Sequence, residues 1–412
     1  MKKVRIGVFG GFRGASMIKY ARIAENAELV AVCDKLPEVI EKQKELCGDQ
    51  VAYYDNFEDF IKHDMDAVIL ANYANEHAPY AIRCMKAGKH VFSEVLPVQT
   101  MKEAVELVEA VEETGMIYAY GENYCYMPGP YEMRRLYLEG KMGEFEYGEG
   151  EYIHNCESIW HNITYGDRDH WRNNMYSTFY CTHSLGPIIH ITGLRPVKVT
   201  GYEGLMNERN LRVGCKPAQY GIEMVEFENG GIAKSIHGGL YKGSVWYSLY
   251  GSHGRMETVR EDADIQNMVK RLYTNFDDCS GAYDTTKKQD YIPVRDMDDV
   301  AKDFGHGQSD FYTMYHFVRK IQGYEDADII DVYEALDMFL PGLWAYRSIL
   351  AGGIPMEIPN LRDKAERDKW RNDTLCTDKK VAGDQWVPSS SKGDVEIPDE
   401  VYENMRNKWL KK

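Results

Sequence analysis

Long apolar segments are missing from this sequence of 412 residues, in which no run of 18 apolar residues occurs. A transmembrane helix needs such a run, so the sequence predicts no membrane span. The chain starts Met1-Lys2-Lys3 and passes at once into a strand-like segment, without the apolar core of a signal peptide. We therefore expect a soluble, cytoplasmic protein with no membrane partner.

Positive charge is also scarce, because 49 lysines and arginines stand against 65 aspartates and glutamates, a net charge of −16. Nucleic-acid binding depends on clustered basic residues that neutralise phosphates, so we expect no nucleic-acid partner. The nine cysteines form an odd set without Cys-x-x-Cys spacing, which is typical of reduced thiols. His154, Cys156, His161 and His170 lack any recognised ligand spacing, so we expect no metal.

Aromatic residues, in contrast, are abundant, with 30 tyrosines and seven tryptophans. Amphipathic rings suit carbohydrate-binding clefts and subunit interfaces, although additional tyrosines also pack in ordinary cores. The composition allows both uses, so the motifs along the chain have to decide between them.

The N-terminal segment has the parts of a dinucleotide site in the order that such a site requires. The apolar run Val4–Phe9 leads into Gly10-Gly11-Phe12-Arg13-Gly14, and a second apolar run ends at Asp34. Glycines let backbone N–H groups approach a pyrophosphate at a helix N-terminus, and the carboxylate binds a ribose 2′-hydroxyl. Asp34 would repel a 2′-phosphate, so NAD is favoured over NADP. The turn has Phe12 where G-x-G-x-x-G has a glycine and is one residue short, which leaves an ordinary strand–helix turn as the alternative.

The order of elements predicts two domains. Strands alternate with helices up to about residue 122, as in a doubly wound parallel sheet. Beyond it strands follow one another, and Glu228-Asn229-Gly230-Gly231 is a strong hairpin signal. We predict an α/β Rossmann domain (1–122), followed by an α+β domain with a mostly antiparallel open sheet (123–360). A polar C-terminal tail (361–412) then wraps the surface or contacts a partner.

Polar residues follow the later strands of the first predicted domain. Asn72, Glu94 and the pair Glu122-Asn123 each come directly after one of these strands. Ligands of doubly wound sheets bind outside the carboxyl ends of the strands, so we expect these residues to face the nicotinamide end of a cofactor. For Asn72 and Asn123, capping of the following helix is the alternative.

Two tyrosine–histidine pairs stand in the second predicted domain. Tyr152 and His154 alternate on a strand and so share a face, and Tyr180 and His183 are one helical turn apart. For any one of these histidines taken alone, the alternative is a hydrogen-bonded structural residue. Two such pairs, with a glutamate and an arginine in the same 60 residues, instead predict a catalytic cleft.

The glycine turn, the closing Cys33-Asp34, the segment Lys89–Glu94 and the antiparallel second domain together resemble the Gfo/Idh/MocA oxidoreductase family over roughly residues 3 to 360. The resemblance implies a Rossmann domain that holds NAD(P), and a second domain whose open sheet supports the substrate site and an oligomer interface. We therefore expect a homo-oligomer through that sheet. The expected cofactor-binding residues are Gly10, Gly11, Phe12, Arg13, Gly14, Asp34, Asn72, His77, Glu94 and Asn123.

One departure from that family concerns proton transfer. Its dehydrogenases usually have Glu-Lys-Pro after the fifth strand, with a lysine that assists proton transfer, whereas this chain has Glu94-Val95-Leu96-Pro97. Because Val95 cannot transfer a proton, the role falls to another residue, or the chain is a non-catalytic binding protein.

Further segments are similar to the branch of the family that hydrolyses glycosides with bound NAD, the α-N-acetylgalactosaminidases being its best-known members. These segments are Gly121–Tyr124, Gly150–His154, Trp171-Arg172, Tyr180–Pro187, Gly305–Phe311 and Asp331–Tyr333. The branch has glycine where this chain has Ser184, and Gly-Gly-x-Asp where it has Gly307-Gln308-Ser309-Asp310, so sugar specificity does not carry over. By this resemblance the catalytic residues are His183, Tyr180, Tyr152 and His154, and the substrate-binding residues are Glu122, Arg172, Trp171 and His306.

The sequence therefore predicts an NAD-dependent carbohydrate enzyme that transiently oxidises C3 of a glycoside, with net hydrolysis or a 3-keto product. An ordinary sugar or inositol dehydrogenase that uses His183 in place of the lysine is the first alternative. A non-catalytic protein that binds NAD or a sugar is the second. The sugar, the anomer and the aglycone do not follow from the sequence.

Overall fold

The structure, a computed structural model, describes residues 2–260, 269–278, 280 and 285–411. The chain forms two compact units that interleave along the sequence. The first unit consists of residues 1–127, 294–336 and 361–372, and the second of residues 128–293, 337–360 and 373–412. Among the described residues, no helix combines the length and the apolar character that crossing a bilayer requires.

The first unit is built on a six-stranded parallel sheet with the strand order β3-β2-β1-β4-β5-β6. Its central strand Ala67–Leu70 is wholly apolar and every residue of it is buried, as expected of a strand whose two faces are both covered. The strands β1 to β6 are Val4–Phe9, Ala27–Cys33, Ala52–Tyr54, Ala67–Leu70, His90–Ser93 and Tyr118–Tyr120. The predicted α/β Rossmann sheet is confirmed.

Helices connect these strands in the order that the sequence predicts. They are Ala15–Ile23, Pro37–Cys47, Phe57–Phe60, His77–Lys86 and Met101–Thr114, with short 3₁₀ turns at Ala74–Glu76 and Asn123–Tyr126. The side chain of Thr100 caps Met101–Thr114 by accepting a hydrogen bond from the backbone N–H of Glu103 at 3.1 Å.

Two later segments of the chain also belong to the first unit. The helix Ser309–Ile321 packs on the sheet through Phe317, whose ring centroid lies 5.7 Å from that of Phe92. Residues 361–372 carry the helix Lys364–Trp370, in which the guanidinium of Arg367 is buried and donates to the Glu112 carboxylate at 2.6 and 2.8 Å. The predicted boundaries at residues 122 and 360 did not anticipate these returns of the chain. The short helix Asp298–Ala301 lies in the same unit.

The second unit is built on a nine-stranded sheet with the order β14-β13-β12-β11-β7-β10-β9-β8-β15. All neighbours are antiparallel except β7 and β10, so the predicted mostly antiparallel sheet is confirmed. The predicted hairpin joins β9 to β10, where Gly230 takes a positive φ of 85°. The strands β7 to β15 are Phe145–Ile153, Pro196–Glu203, Tyr220–Phe227, Ile232–Gly238, Ser244–Gly251, Gly254–Thr258, Leu272–Phe276, Lys287–Tyr291 and Met356–Glu357.

A central helix, Thr182–Thr192, packs on one face of this sheet across β7. Gly150 makes the contact possible, because a Cβ at this position would overlap the carbonyl oxygen of Ser184. The hydroxyl of Ser184 lies 2.8 Å from that of Ser235 on β10. The remaining α-helices after residue 127 are Pro128–Leu138, Trp160–Thr164, Trp171–Asn174, Glu208–Leu211, Val332–Leu350, Lys379–Ala382 and Asp399–Leu410.

The C-terminal residues from 373 onward pack into the second unit. In the helix Asp399–Leu410, Tyr402 and Met405 are buried, and Met405 joins an apolar cluster with Trp160 and Val213. The segment that the sequence predicts to be a polar tail therefore contributes buried side chains, although few of its residues are apolar.

Candidate functional site

The glycine turn after β1 packs closely against the backbone at the end of β4. Gly10 has a φ of 100°, and a Cβ there would overlap the carbonyl oxygen of Ala71 at the end of β4. Gly14 precedes the helix Ala15–Ile23, which has no side-chain cap among the described residues. The N–H groups of the first turn of a helix need such a partner, and a phosphate is a favourable one.

Asp34 follows β2 and is held against this turn. Its carboxylate accepts hydrogen bonds from the backbone N–H of Gly11 at 2.8 Å and of Leu36 at 2.9 Å. Burial raises the pKa of Asp34 above its ordinary value, although these hydrogen bonds act in the opposite direction. The carboxylate thus occupies a fixed position next to Gly11.

Asn72 and His77 follow β4, and each has a buried polar atom to which a ligand can hydrogen-bond. The Oδ1 of Asn72 and the Nε2 of His77 are buried without a hydrogen-bond partner among the described residues. The Nδ1 of His77 lies 2.9 Å from the carbonyl oxygen of Leu96, so the proton of a neutral ring belongs on Nδ1. Burial lowers the pKa of His77 to about 4.

Four predicted residues of the first unit meet around one carboxylate that the prediction omitted, that of Asp310. The guanidinium of Arg13 lies 2.6 Å from Glu94 and 3.7 Å from Asp310. His306 Nδ1 lies 3.0 Å from Asp310, and the amide of Asn123 donates to Asp310 at 3.1 Å. The cluster therefore joins the glycine turn, the ends of β5 and β6 and the helix Ser309–Ile321.

The pKa values of the two carboxylates of this cluster shift in opposite directions. Burial raises the pKa of Glu94 above its ordinary value, despite the attraction of Arg13. Burial would also raise the pKa of Asp310, but His306, Arg13 and Asn123 together outweigh it and hold that pKa well below its ordinary value. These neighbours therefore favour the ionised form of Asp310, and the motif Gly307-Gln308-Ser309-Asp310 was the signal in the sequence that could have indicated it.

Glu122 has a local structural contact that the sequence did not indicate. Its side chain is fully buried, and Oε1 accepts a hydrogen bond from the backbone N–H of Tyr124 at 3.2 Å. It therefore caps the 3₁₀ turn Asn123–Tyr126. Its predicted role in binding substrate stays a prediction.

The two predicted tyrosine–histidine pairs come together in the second unit. The hydroxyl of Tyr152 lies 2.9 Å from Nδ1 of His154. The ring of His183 lies with its centroid 4.7 Å from that of Tyr152 and 5.0 Å from that of Tyr180. The residues come from the end of β7 and from the start of the helix Thr182–Thr192, which Gly150 allows to approach.

Trp171 and Arg172 extend this aromatic group. The rings of Trp171 and Tyr180 are nearly parallel, with centroids 6.2 Å apart and an angle of 11°. The guanidinium of Arg172 lies 4.3 Å from the Trp171 ring and 5.4 Å from the Tyr180 ring, which are cation–π distances.

A cavity of about 110 Å³ opens beside these side chains and lies wholly within the second unit. Tyr152, His154, Arg172 and Tyr180 line it. Further lining residues that the sequence did not indicate are Tyr176, Ser177, Arg209, Gln219 and His237. His237 lies on β10, and Arg209 lies on the short helix Glu208–Leu211. Neither stands in a motif, so the sequence gave no reason to assign either residue to a binding site. Among the described residues, no group of three or more acidic, histidine or cysteine side chains is placed to hold a metal.

The residues of the first unit fit NAD. The helix Ala15–Ile23 has no side-chain cap, Asp34 is fixed beside Gly11, and the Oδ1 of Asn72 is buried without a partner among the described residues. These features supply N–H groups for a phosphate, a carboxylate for ribose hydroxyls and an acceptor for a further polar group. The individual contacts stay predictions.

Comparison with known proteins agrees with this geometry. A family model described as an oxidoreductase family with an NAD-binding Rossmann fold matches residues 3–122. A glycosyl hydrolase family 109 protein of Solibacter usitatus is 25% identical over 402 residues, which covers 89% of each chain.

Two solved structures share the fold. Myo-inositol 2-dehydrogenase from Lactobacillus plantarum has a TM-score of 0.66 and 18% identity over 87% of this chain and 100% of that one. Levoglucosan dehydrogenase, in complex with NADH and L-sorbose, has a TM-score of 0.69 and 15% identity over the same shares, 87% and 100%. The chain is thus an NAD-dependent enzyme whose residues 3–122 match the NAD-binding Rossmann fold of the Gfo/Idh/MocA oxidoreductase model, and it is similar, over most of its length, to a glycosyl hydrolase family 109 protein.

Proposed function

We propose that the protein cleaves a glycoside through transient oxidation at C3 of the sugar, with NAD regenerated in each turnover. The observation that carries this proposal is the meeting of Tyr152, His154, Tyr180 and His183, with 2.9 Å between the Tyr152 hydroxyl and the His154 ring. Similarity to a glycosyl hydrolase family 109 protein supports the same reaction.

The reaction needs several proton transfers near neutral pH, and tyrosine and histidine suit them. NAD, which the glycine turn and Asp34 would hold, would supply the hydride acceptor for C3 and the hydride that restores C3 at the end of the turnover. His183 with Tyr180 takes the proton of the C3 hydroxyl. Tyr152 with His154 removes the acidified proton at C2 and protonates the leaving oxygen at C1, after which water adds at C1.

The residue after Glu94 also favours recycled NAD over simple dehydrogenation. Val95 lies at the end of β5, is buried, and has no group that transfers a proton. In the related dehydrogenases a lysine there assists removal of the proton from the alcohol. Proton transfer in this chain therefore depends on the side chains of the second unit.

An ordinary sugar or inositol dehydrogenase is the second candidate. The observation in its favour is that myo-inositol 2-dehydrogenase and levoglucosan dehydrogenase share the fold. In that case His183 takes the proton of the alcohol, and NADH leaves as a product.

The two candidates differ in what accumulates. We would purify the protein, measure the NAD that it retains, and incubate it with 4-nitrophenyl glycosides of both anomers. Release of nitrophenol without growth of NADH absorbance at 340 nm is the expected result. Growth of NADH without nitrophenol release would favour the dehydrogenase. Tyr202→Phe, an exposed tyrosine on β8, is the matched control for Tyr152→Phe.

A further inference from the structure

Two arginines line the cavity of the second unit without an ion pair to a carboxylate of the described residues. Arg172 and Arg209 both line it, and within the described part of the chain neither forms an ion pair. Their guanidinium groups lie against aromatic rings instead, Arg172 at 4.3 Å from Trp171 and Arg209 at 5.5 Å from Tyr241. In a chain with a net charge of −16, two unpaired arginines at one cavity indicate a site for an anion.

One buried atom of Arg209 also indicates a site for an anion. Its Nη1 is buried and has no hydrogen-bond partner in the described residues. A buried guanidinium N–H without an acceptor is unfavourable unless a bound group accepts from it. Guanidinium groups match the oxygens of carboxylates, sulfates and phosphates with paired donors, so an anionic group of a ligand is the most suitable acceptor.

Two carboxylates lie near the cavity, and neither forms an ion pair with Arg172 or Arg209 among the described residues. Glu157 lines the cavity, and its Oε1 accepts a hydrogen bond from Nε of Arg212 at 2.6 Å. Glu223 is fully buried, both of its oxygens lack a hydrogen-bond partner in the described residues, and its Oε1 lies 3.6 Å from Nδ1 of His237. Within the described residues, the charges of Arg172 and Arg209 therefore remain for a ligand.

The other lining residues suit hydroxyl groups. Buried polar atoms without a partner in the described residues are the hydroxyls of Tyr176 and Ser177, Oε1 of Gln219 and both ring nitrogens of His237. All four residues line the cavity. An apolar ligand would leave these atoms unsatisfied, whereas a carbohydrate has donors and acceptors around its ring.

We propose that this cavity selects a carbohydrate with an anionic substituent, whose carboxylate, sulfate or phosphate binds to Arg172 and Arg209. The substrate class is then a uronic acid, a sugar sulfate or a sugar phosphate, and not a neutral sugar. The inference rests on the proposed function for the carbohydrate, but it concerns binding and does not require turnover.

Calorimetric titration of the NAD-loaded protein tests the proposal. The probes are glucuronate, galacturonate, glucose 6-sulfate, galactose 6-sulfate, glucose 6-phosphate and galactose 6-phosphate, each against neutral glucose or galactose. At least one anionic probe should bind ten or more times more tightly than its neutral parent, and which one binds identifies the anion. Arg209→Gln should weaken that binding about tenfold to a hundredfold, as expected for charge-assisted hydrogen bonds, and Arg209→Lys should restore part of it.

The control is Arg135→Gln, which removes an exposed arginine of the same unit outside the cavity and should leave binding unchanged. Unaltered NAD affinity of Arg209→Gln shows that this variant is folded. Equal binding of neutral and anionic sugars, full anion binding by Arg209→Gln, or binding of no anionic probe would overturn the proposal. If the anion proposal fails and the protein still turns over neutral glycosides, the proposed function stands. If an anionic sugar binds and no glycoside is turned over, the anion proposal stands and the proposed function fails.

Discussion

Catalysis depends, on this account, on the ring nitrogens and hydroxyls around His183. We predict that His183→Asn and Tyr180→Phe each lower kcat by about 10²- to 10⁴-fold, the usual contribution of a positioned acid or base. NAD affinity should stay at the wild-type value, because the residues that fit NAD lie in the first unit. Stopped-flow kinetics and fluorescence titration of NAD measure the two quantities. Loss of NAD binding together with kcat would assign these residues a structural role instead.

His77 gives the stability of the protein a dependence on pH. Burial lowers its pKa from 6.5 to about 4, so between these values the unfolded chain binds more protons than the folded one. Stability therefore rises with pH in this window, and about 3 kcal/mol of it is lost as the pH falls from 6.5 to 4. Urea unfolding of the protein and of His77→Gln at several pH values checks this. An equal loss in the variant would show that another group is responsible.

At the scale of single residues, the sequence indicated the groups with unusual chemistry and missed those that geometry alone brings in. Arg13, Glu94 and His306 were predicted, and they do meet, but through Asp310, which the prediction left out. Arg209 could not be found, because an arginine on a four-residue helix without an apolar pattern has the sequence signature of an ordinary surface residue. Only the packing of the cavity shows that its Nη1 is buried.

At the scale of elements, Gly150 determines how closely the helix Thr182–Thr192 approaches β7. We predict that Gly150→Ala lowers the free energy of unfolding by about 1–3 kcal/mol, as overpacking does, and reduces kcat because His183 moves away from Tyr152. Gly148→Ala is the matched control, since its Cβ would meet only side-chain atoms at 3.1 Å or more. Equal effects of the two substitutions would contradict this role for Gly150.

Regular elements with strong periodicity were predictable, and those held by long-range contacts were not. The strand Phe145–Ile153 and the helix Pro37–Cys47 can be predicted from local signals, which for the helix are Pro37 at its start and Gly48 after its end. The strands Leu272–Phe276 and Lys287–Tyr291 were missed. The second of these is polar and mostly exposed, so only pairing with its neighbour makes it a strand.

At the scale of the whole molecule, the ion pair between Arg367 and Glu112 fixes residues 361–372 to the rest of the first unit. Arg367→Met should destabilise the protein by about 2–3 kcal/mol, because Glu112 then loses the partner that, with Tyr333, lowers its pKa to about 2. The estimate is below that for a fully buried pair because Glu112 is one-third exposed. Arg371→Met, which breaks the exposed pair with Glu109, should cost less than about 1 kcal/mol. Urea denaturation measures both, and equal losses would argue against the anchor.

The division of the chain into interleaved units shows what a linear reading of the sequence lacks. Residues 294–336 follow the second sheet in the chain but pack within the first unit, Phe317 against Phe92 of β5 and Phe311 against Tyr20 of the helix Ala15–Ile23. No composition change marks this return, because the contact is made by ordinary apolar residues of a helix. Assembly through the second sheet and location in the cytoplasm stay predictions.

Exchange of the hydrogen at C2 of the sugar tests most directly whether NAD is recycled within one turnover. The protein would cleave a glycoside in heavy water, and NMR or mass spectrometry would locate deuterium in the released sugar. Removal of the C2 proton before the C1 bond breaks predicts deuterium at C2, with no net NADH. Cleavage that leaves the original hydrogen at C2 would contradict the account.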